Sequence, residues 1–235
     1  MKVDIWSDVR CPFCYIGKRK FEKGLEQFAQ KNKIEVVWHS FELDPSFETR
    51  IDVNIYDYLA ERKGQSKEWS VQMHKQVTDM AKEVGLEYNF DKAVVANSFN
   101  AHRVLALAKE KGLADVAEEK MFKAYFTDGK NIDDNDTLVK IGKEIGVEEN
   151  DVRSLLTSEE YVQQVRDDEM RAHEIGVNGV PFFVINNKYA VSGAQAPETF
   201  TQALQHAWSE YEIKHPELIN TAATNDVCSV DNPNC

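Results

Sequence analysis

The sequence predicts an α/β fold: a mixed four-stranded sheet with helices on its faces and a large all-helical insertion. Two observations predict it. Strand-like runs occur only near the two ends of the 235-residue chain, in the order strand, helix, strand at the start and strand, strand, helix at the end. The roughly 120 residues between these ends show helical periodicity and no convincing strand. We therefore expect the two ends to join in one sheet and the middle to fold as an insertion.

The first unit reads as a strand, a helix and a second strand. Residues 3–6 alternate in the manner of a strand, and residues 18–30 carry apolar side chains at helical spacing. Residues 34–41 are rich in β-branched and aromatic side chains, which favours a second strand. The segment between the strands is about long enough for a crossover, so this part of the sequence predicts a βαβ unit.

Seven helices are predicted in the insertion. Glycines punctuate them in the manner of helix C-termini, at Gly64, Gly85, Gly112, Gly129 and Gly146. The predicted helices cover residues 55–62, 67–84, 93–111, 114–126, 137–145, 152–156 and 161–175.

Strand character returns near the end of the chain. Residues 180–185 and 188–192 flank the turn pair Asn186-Asn187, so they predict a β-hairpin. Residues 197–212 are amphipathic and predict a final helix. The predicted units are therefore a sheet unit at 1–44 and 177–215, the insertion at 45–176, and a cysteine-bearing tail at 216–235.

The net charge and the N-terminal sequence predict which classes of binding partner and which cellular compartment to expect. The formal net charge is −12, which disfavours nucleic acid and anionic membrane surfaces as partners. The N-terminus lacks the apolar segment of a signal peptide, and the sequence has no apolar run long enough to cross a bilayer. We therefore expect a cytoplasmic protein. In that reducing compartment, paired cysteines are more often catalytic or metal-binding than structural.

The first cysteine pair, Cys11-Pro12-Phe13-Cys14, lies between the first strand and the first helix. Residues three apart on a helix are about 5–6 Å apart at Cβ, which suits a disulfide that opens and closes. Proline is favoured at the first helical position, and the positive end of a helix stabilises a thiolate. We therefore expect Cys11 to be the nucleophile and Cys14 the resolving thiol. The alternatives are a zinc site, which would need two further ligands such as Cys228 and Cys235, and a purely structural disulfide.

Four stretches carry a family resemblance: CPFCYIG at 11–17, NSFNAHRVLALAKEKG at 97–112, NGVPFFVINNKYAVSGAQ at 178–195, and the cysteine-bearing tail. Together they resemble the thioredoxin-fold oxidoreductases of the DsbA superfamily, and within it the FrnE-type branch. The resemblance implies a thioredoxin-like fold and thiol–disulfide exchange on protein or peptide thiols. It also implies no dissociable cofactor and no metal. A small thiol, glutathione among the candidates, or a reductase would recycle the cysteine pair.

The resemblance also implies the residues that meet the substrate. Pro181 should be a cis-proline beside the cysteine pair, with the backbone of Val180 pairing with a substrate strand. Pro12 and Phe13, between the cysteines, should contact the substrate as well. Periplasmic relatives usually carry histidine where this chain has Phe13, so we expect a less oxidising cysteine pair here.

Three further residues have more than one interpretation. Asp8 lies three positions before Cys11 and serves either as the proton acceptor for Cys14 or as a charge at the helix N-terminus. His102 and Arg103 lie on the predicted helix 93–111, a block that shapes the substrate pocket in a related isomerase and kappa glutathione-transferase branch. The alternative function is therefore a glutathione-dependent isomerase or kappa-type glutathione transferase acting on a small organic substrate. His102 is otherwise an interface residue between the insertion and the sheet.

The second cysteine pair, Cys228 and Cys235, lies in the tail among turn-forming residues, so a disulfide is feasible there only in a loop. We predict an auxiliary redox pair that exchanges with Cys11 and Cys14, within one chain or across a homodimer. The alternative is a local structural disulfide.

Overall fold

The computed structural model describes residues 1–214, and its elements follow the predicted order. The first unit is β1 (Lys2–Ser7), α1 (Pro12–Glu26) and β2 (Glu35–Ser40). Seven helices follow, and the last unit is β3, β4 and α9. These later elements are α2 (Ile55–Lys63), α3 (Lys67–Glu83), α4 (Phe99–Glu110), α5 (Ala114–Phe126), α6 (Asn135–Glu144), α7 (Glu149–Leu156), α8 (Val162–Glu174), β3 (Phe182–Ile185), β4 (Tyr189–Ser192) and α9 (Pro197–Lys214).

The sheet has the strand order β2-β1-β3-β4, which confirms the predicted mixed four-stranded sheet. β1 pairs with β2 in parallel and with β3 in antiparallel register, Ile5 lying between Trp38 and Phe183. β3 and β4 form the predicted hairpin. Its turn residues, Asn186 and Asn187, have φ of 55° and 53°, a conformation that asparagine tolerates better than most side chains.

Both faces of the sheet are covered, which explains why β1 is buried along almost its whole length. On one face, Ile5 and Phe183 pack against Phe21 of α1 and Phe200 of α9. On the opposite face, Trp6 belongs to a smaller cluster beneath α8. The alternation along β1 therefore sends neighbouring side chains into two separate cores.

The start of α1 lies in the core of the insertion rather than in the core of the sheet. Cys14, Tyr15 and Ile16 belong to the large apolar cluster that the insertion helices form. The Tyr15 ring stacks on Phe122 of α5 at 4.9 Å between ring centroids. The helix that carries the cysteines therefore joins the two units, and the insertion lies directly against them.

The outer strand β2 meets the insertion through a half-buried lysine. Lys109 of α4 donates from Nζ to the backbone oxygen of Trp38 at 2.7 Å. Burial lowers the pKa of Lys109, with only partial compensation from Asp168 and other acids. The ammonium group thereby ties α4 to the edge of the sheet.

Three predicted helices have wrong boundaries. The helix expected at 18–30 spans Pro12–Glu26, and the helix expected at 152–156 begins at Glu149. The helix expected at 93–111 begins at Phe99, and in the segment before it Val95 forms an isolated β-bridge with Arg50. The side chain of Asn97 causes the late start, because its Oδ1 accepts from Phe99 N at 2.7 Å and its Nδ2 donates to Phe47 O. These bonds hold the chain in a turn that competes with the helix. Within residues 1–214, no helix is long and apolar enough to span a membrane.

Candidate active site

The first cysteine pair opens α1 as the sequence predicts. Cys11 is the N-cap residue with φ −87° and ψ 112°, and Pro12 occupies the first helical position. The backbone N–H of Cys14 donates to Cys11 O at 3.0 Å, which closes the turn between them. Both cysteines are free thiols, and the first turn of α1 contains no acidic residue to offset its positive end.

The Val180–Pro181 peptide bond, immediately before β3, is cis and lies beside this turn. Cys11 Sγ is 3.5 Å from the backbone oxygen of Val180. The approach depends on Gly17, because a Cβ at that position would lie 2.8 Å from Pro181 Cγ. The glycine of the CPFCYIG stretch therefore has a packing role that the sequence reasoning missed, although its place in the motif was a usable signal.

The two thiols are buried to different degrees. Cys11 is 5% exposed and Cys14 is 1% exposed, so both thiols are buried and Cys11 is the more accessible of the two. Burial raises the pKa of Cys14 well above its usual value, and the hydrogen bond and charge of Cys11 raise it further. The Asp8 backbone and the Ser7 side chain act in the opposite direction without reversing the result. In the reduced protein Cys14 therefore stays protonated at neutral pH.

A tyrosine from the insertion holds the peptide between the cysteines. Tyr88 donates from its hydroxyl to the backbone oxygen of Pro12 at 2.7 Å. Burial raises the pKa of Tyr88, and the charges of Cys11 and Cys14 add to the effect, so the hydroxyl stays a neutral donor. Nothing in the local sequence links Tyr88 to a motif 76 residues away, and sequence reasoning did not find it.

Asp8 and His102, named separately from the sequence, form a buried pair. Asp8 accepts from the backbone N–H groups of Arg10 at 3.0 Å and Leu43 at 2.9 Å, and its Oδ1 is 3.6 Å from His102 Nε2. Burial by itself would raise the pKa of Asp8, but His102, Arg10 and the Leu43 N–H outweigh it and lower that pKa. Burial by itself would lower the pKa of His102, but Asp8 outweighs it and raises that pKa. Asp8 and His102 therefore face each other behind the cysteines, and each favours the charged form of the other.

A cavity of about 380 Å³ opens beside Cys11 and Phe13. Its walls are mostly apolar, and they come from α2, α3, the middle of the loop between α3 and α4, and the end of α5. Phe13 is 38% exposed and Leu43 is 43% exposed beside it, although both are large apolar side chains. Volume and lining are in the range of small-molecule sites, and no sequence motif marked this feature.

A family profile described as DSBA-like thioredoxin domain matches residues 2–205. The chain belongs to this family. Its members share the thiol–disulfide oxidoreductase fold that the cysteine pair, the cis-proline and the helical insertion build here.

Relatives of this DSBA-like chain include proteins of known structure. The crystal structure of a probable DsbA oxidoreductase, SCO1869 from Streptomyces coelicolor, is 37% identical, with a TM-score of 0.85 over 99% of this chain and 100% of that one. A 2-hydroxychromene-2-carboxylate isomerase is 16% identical, with a TM-score of 0.67 over 91% of this chain and 99% of that one, and shares the fold. "Uncharacterized protein YwbO" of Bacillus subtilis (strain 168) is 29% identical over 86% of this chain and 94% of its own length.

Arg103, also named from the sequence of the DSBA-like chain, contacts the insertion rather than the cysteines. Arg103 donates to the backbone oxygens of Leu155, Ser158 and Glu160, so it secures the connection between α7 and α8 and does not line the cavity, contrary to the pocket role considered for it. Cys228 and Cys235 lie outside the described residues. Within residues 1–214, no group of three or more histidine, cysteine or acidic side chains is arranged to hold a metal ion.

Proposed function

We propose that the protein catalyses thiol–disulfide exchange on protein or peptide thiols, with Cys11 as nucleophile and Cys14 as resolving thiol. The observation that carries the proposal is the position of Cys11 Sγ, at the positive end of α1 and 3.5 Å from the carbonyl of the cis Val180–Pro181 pair. A thiolate is stabilised at such a helix end. The cis bond leaves the backbone of Val180 beside the sulfur that would carry the substrate.

The reaction proceeds in two exchanges. The Cys11 thiolate attacks one sulfur of a substrate disulfide, the substrate S–S bond breaks, and a mixed disulfide forms while one substrate thiolate leaves. Cys14 then loses its proton and attacks the sulfur of Cys11, which releases the second substrate thiol. The substrate has gained two electrons and two protons, and the enzyme holds a Cys11–Cys14 disulfide. Run in reverse, the same steps oxidise a substrate dithiol.

Asp8 supports this chemistry as a positioning residue rather than as the base for Cys14. A carboxylate whose pKa is lowered holds a proton poorly, and both Asp8 oxygens already accept from backbone N–H groups. The pair with His102 instead fixes the loop between β1 and α1. Of the two interpretations of Asp8, we therefore propose the charge at the helix N-terminus.

Phe13, Pro12, Val180 and Pro181 form the substrate contact in this proposal. The exposed ring of Phe13 offers an apolar surface next to Cys11, and the Val180 backbone offers strand pairing. No dissociable cofactor is needed, and a small thiol, with glutathione as one candidate, or a reductase recycles the pair. We also propose that Phe13 makes the couple less oxidising than a pair with histidine at that position, which equilibration with glutathione buffers measures.

Insulin reduction with dithiothreitol tests the proposed function. The wild-type protein should accelerate precipitation of the insulin B chain, and Cys11→Ser should abolish the effect. Cys14→Ser should instead accumulate a mixed disulfide between Cys11 and insulin, visible by mass spectrometry. A wild-type protein that reduces no insulin, or a Cys11→Ser variant that retains full activity, contradicts the proposal.

The cavity supports a second candidate, a glutathione-dependent isomerase or kappa-type transferase acting on a small organic substrate. Such an enzyme needs room for a small molecule beside one reactive group, and the cavity of about 380 Å³ meets Cys11. The two candidates separate in a Cys14→Ser variant, because the second needs no resolving thiol. Retained glutathione conjugation by that variant, with no insulin reduction, favours the second candidate.

The tail pair, Cys228 and Cys235, is proposed as an auxiliary redox pair. α9 runs in the same direction as α1, since Phe200 packs on Phe21 and Trp208 packs on Phe28. Helix geometry then places the end of α9 about 36 Å from Cys11 along this axis. A chain of fourteen residues, the length from 215 to 228, spans at most about 46–50 Å.

This reach suffices within one chain only when the tail is nearly extended, so exchange with Cys11 of a second copy in a homodimer is favoured. Mass mapping of the oxidised Cys14→Ser variant tests it. A Cys11–Cys228 or Cys11–Cys235 disulfide between chains is expected, and a variant that never forms one excludes exchange between the pairs. Zinc analysis of the same samples decides the metal alternative for these cysteines.

We propose the cytoplasm as the location. Fractionation of the source cells checks it.

A further inference from the structure

The cavity beside Cys11 combines an apolar wall with positive charge. Trp69, Met73 and Val77 of α3 supply part of the wall, and the cationic side chains in its lining are Arg10 and the neighbouring pair Arg62 and Lys63. The chain as a whole carries a net charge of −12. The positive charge of this cavity is therefore opposite in sign to the net charge of the protein.

Two guanidinium groups in this cavity converge on one neutral oxygen. The hydroxyl oxygen of Tyr58 accepts from Arg62 Nη1 at 2.7 Å and from Arg10 Nη2 at 3.4 Å. Arg10 Nε is buried with no hydrogen-bond partner among residues 1–214. A phenol hydroxyl carries no charge to balance two guanidinium groups. Arg10 and Arg62 can therefore still bind an anion.

The nearby carboxylates do not neutralise all of the positive charge beside the cavity. Asp44 pairs with Arg62 at 3.5 Å, and Asp8 is committed to two backbone N–H groups and to His102. With Lys63, three cations face two carboxylates. One unit of positive charge therefore remains beside an apolar space that opens at the reactive sulfur.

We propose that this cavity binds a low-molecular-weight thiol or disulfide with an apolar body and a carboxylate, and that this molecule exchanges with Cys11. The inference rests on the proposed thiol–disulfide exchange and names the class of its small thiol partner. The carboxylate pairs with Arg10 and Arg62, the body lies against Trp69 and Met73, and the sulfur meets Cys11.

The exchange balances without a further reagent. Cys11 thiolate attacks one sulfur of the bound disulfide, the ligand S–S bond breaks, and one ligand thiolate leaves. Cys14 then loses its proton to the solvent and attacks the Cys11 sulfur, which breaks the mixed disulfide and releases the second ligand thiolate. The ligand is reduced by two electrons and the enzyme is oxidised to the Cys11–Cys14 disulfide; two ligand thiols carry out the reverse.

The apolar wall sets a second requirement on the ligand. The peptide groups of a molecule such as glutathione would lose hydrogen bonds to water against Trp69, Met73 and Val77 without gaining others there. A ligand with a hydrocarbon or aromatic body loses nothing by the same contact. We therefore expect the cavity to select an apolar acid over a polar peptide of similar charge.

Stopped-flow oxidation of the reduced protein by two aromatic disulfides tests the proposal. The probes are 5,5′-dithiobis(2-nitrobenzoate), which carries two carboxylates, and 4,4′-dithiodipyridine, which is uncharged. The rate with the first should saturate with concentration. Arg62→Gln should slow that reaction about tenfold or more, the effect of one lost charge-assisted hydrogen bond, and should change the dipyridine rate less than about twofold. Arg62→Lys should recover part of the loss.

Two controls separate the cavity from general effects. Arg153→Gln removes an exposed arginine of α7 and makes the same change in net charge, and it should alter neither rate. Met73→Trp fills the wall and should slow both aromatic disulfides. Equal slowing of both probes by Arg62→Gln, no slowing of either, or equal saturation by oxidised glutathione overturns the proposal.

The far-UV circular dichroism spectrum of Arg62→Gln should match that of the wild type, which shows that the variant is folded. If the wild type reduces no insulin yet saturates with the charged probe, the proposed function fails while the binding site stands.

Discussion

At the scale of single residues, two positions near the site have properties that a substitution can test, Gly17 and Glu118. Gly17 has no Cβ, and this absence lets the Pro181 ring approach α1 beside the cysteines. Glu118, by contrast, is a side chain whose buried position conflicts with its usual charge, and its Oε2 has no hydrogen-bond partner among the described residues. Each leads to a substitution with a definite expected sign.

Gly17→Ala should impair both stability and activity. The added methyl group would lie 2.8 Å from Pro181 Cγ, so α1 and the cis-proline loop must separate. We expect a loss of about 1–3 kcal/mol in the free energy of unfolding and slower insulin reduction. Urea denaturation and the insulin assay measure the two effects. Gly179→Ala is the matched control in the same loop, since a Cβ there meets nothing within 4 Å, and equal behaviour of the two variants would refute the packing role.

Glu118 makes stability depend on pH. Burial raises its pKa to about 7, and the opposing charges of His102 and Lys18 only moderate the shift. Because the folded pKa lies above the unfolded value, 4.5, the stability associated with the neutral acid is complete below pH 4.5 and is lost as pH rises through 7. Glu118→Gln should therefore be more stable than wild type at pH 8.5, by up to about 3 kcal/mol, and close to wild type near pH 5.

Thermal or urea unfolding of both proteins at the two pH values measures this difference. Glu144→Gln, at an exposed ion pair, is the control and should show no such pH dependence. A constant difference between Glu118→Gln and wild type across the pH range would contradict the assigned ionisation.

At the scale of elements, α1 is fixed to α5 by a charge cluster one turn beyond the cysteines. Lys18 is only 2% exposed, and its ammonium group meets Glu22, Asp115 at 3.3 Å and Glu119 at 3.2 Å. Burial by itself would lower the pKa of Lys18, but these carboxylates outweigh it and raise that pKa. Arg19 pairs with Glu119 beside it. The cluster therefore holds the cysteine-bearing helix against the insertion.

Lys18→Met should destabilise the protein by about 2 kcal/mol at neutral pH, because three carboxylates lose their shared cation while remaining partly exposed to water. The loss should shrink below about pH 4, where free carboxylates become protonated. Urea unfolding at pH 7 and pH 3.5 provides the measurement. Lys111→Met, at a surface pair with Asp151, should have a smaller effect, and a loss for Lys18→Met that does not vary with pH would argue against an ionic role.

Elements with a local signature could be predicted from the sequence, and those set by distant contacts could not. The alternation in β1, the Asn186-Asn187 turn and the proline at the start of α1 each act within a few residues, and the structure contains all three elements. The late start of α4 depends on hydrogen bonds from Asn97 to a distant loop, so apolar spacing at 93–98 was misleading.

The residues of the candidate site also fall into those that the sequence predicts and those that only the fold brings together. The cysteine pair and Pro181 belong to recognisable stretches, and the cis bond implied by the resemblance is confirmed. Tyr88 and the convergence of Arg10 with Arg62 arise from contacts between segments far apart in sequence, which have no periodicity and no motif. Asp8 and His102 could each be named, but only the fold shows that they face each other.

At the scale of the whole molecule, the predicted sheet unit and insertion share one helix. Cys14, Tyr15 and Ile16 lie in the apolar cluster of the insertion, whereas Phe21 of the same helix lies in the core of the sheet. Separate folding of the two units would expose one of these surfaces. The domain boundaries stay a prediction, and the shared helix leads us to expect that the two units unfold together.

Equilibrium unfolding in urea should be one cooperative transition. Far-UV circular dichroism, which reports mainly the helices of the insertion, should coincide with tryptophan fluorescence, which includes Trp6 and Trp38 of the sheet. A Trp69→Phe variant removes the tryptophan on α3 and should give the same midpoint by fluorescence. Two separated transitions would show that the units are independently stable.

Lys109, which joins α4 to β2, also hinders the pairing of sheet edges between copies of this protein. An incoming strand that extended the sheet at β2 would need the carbonyl of Trp38, and the Lys109 ammonium already occupies it. At the opposite border, β4 offers a ladder of four residues, Tyr189–Ser192. Edge-to-edge polymerisation, the common hazard of open sheets, therefore meets a positive charge on one side and a very short template on the other.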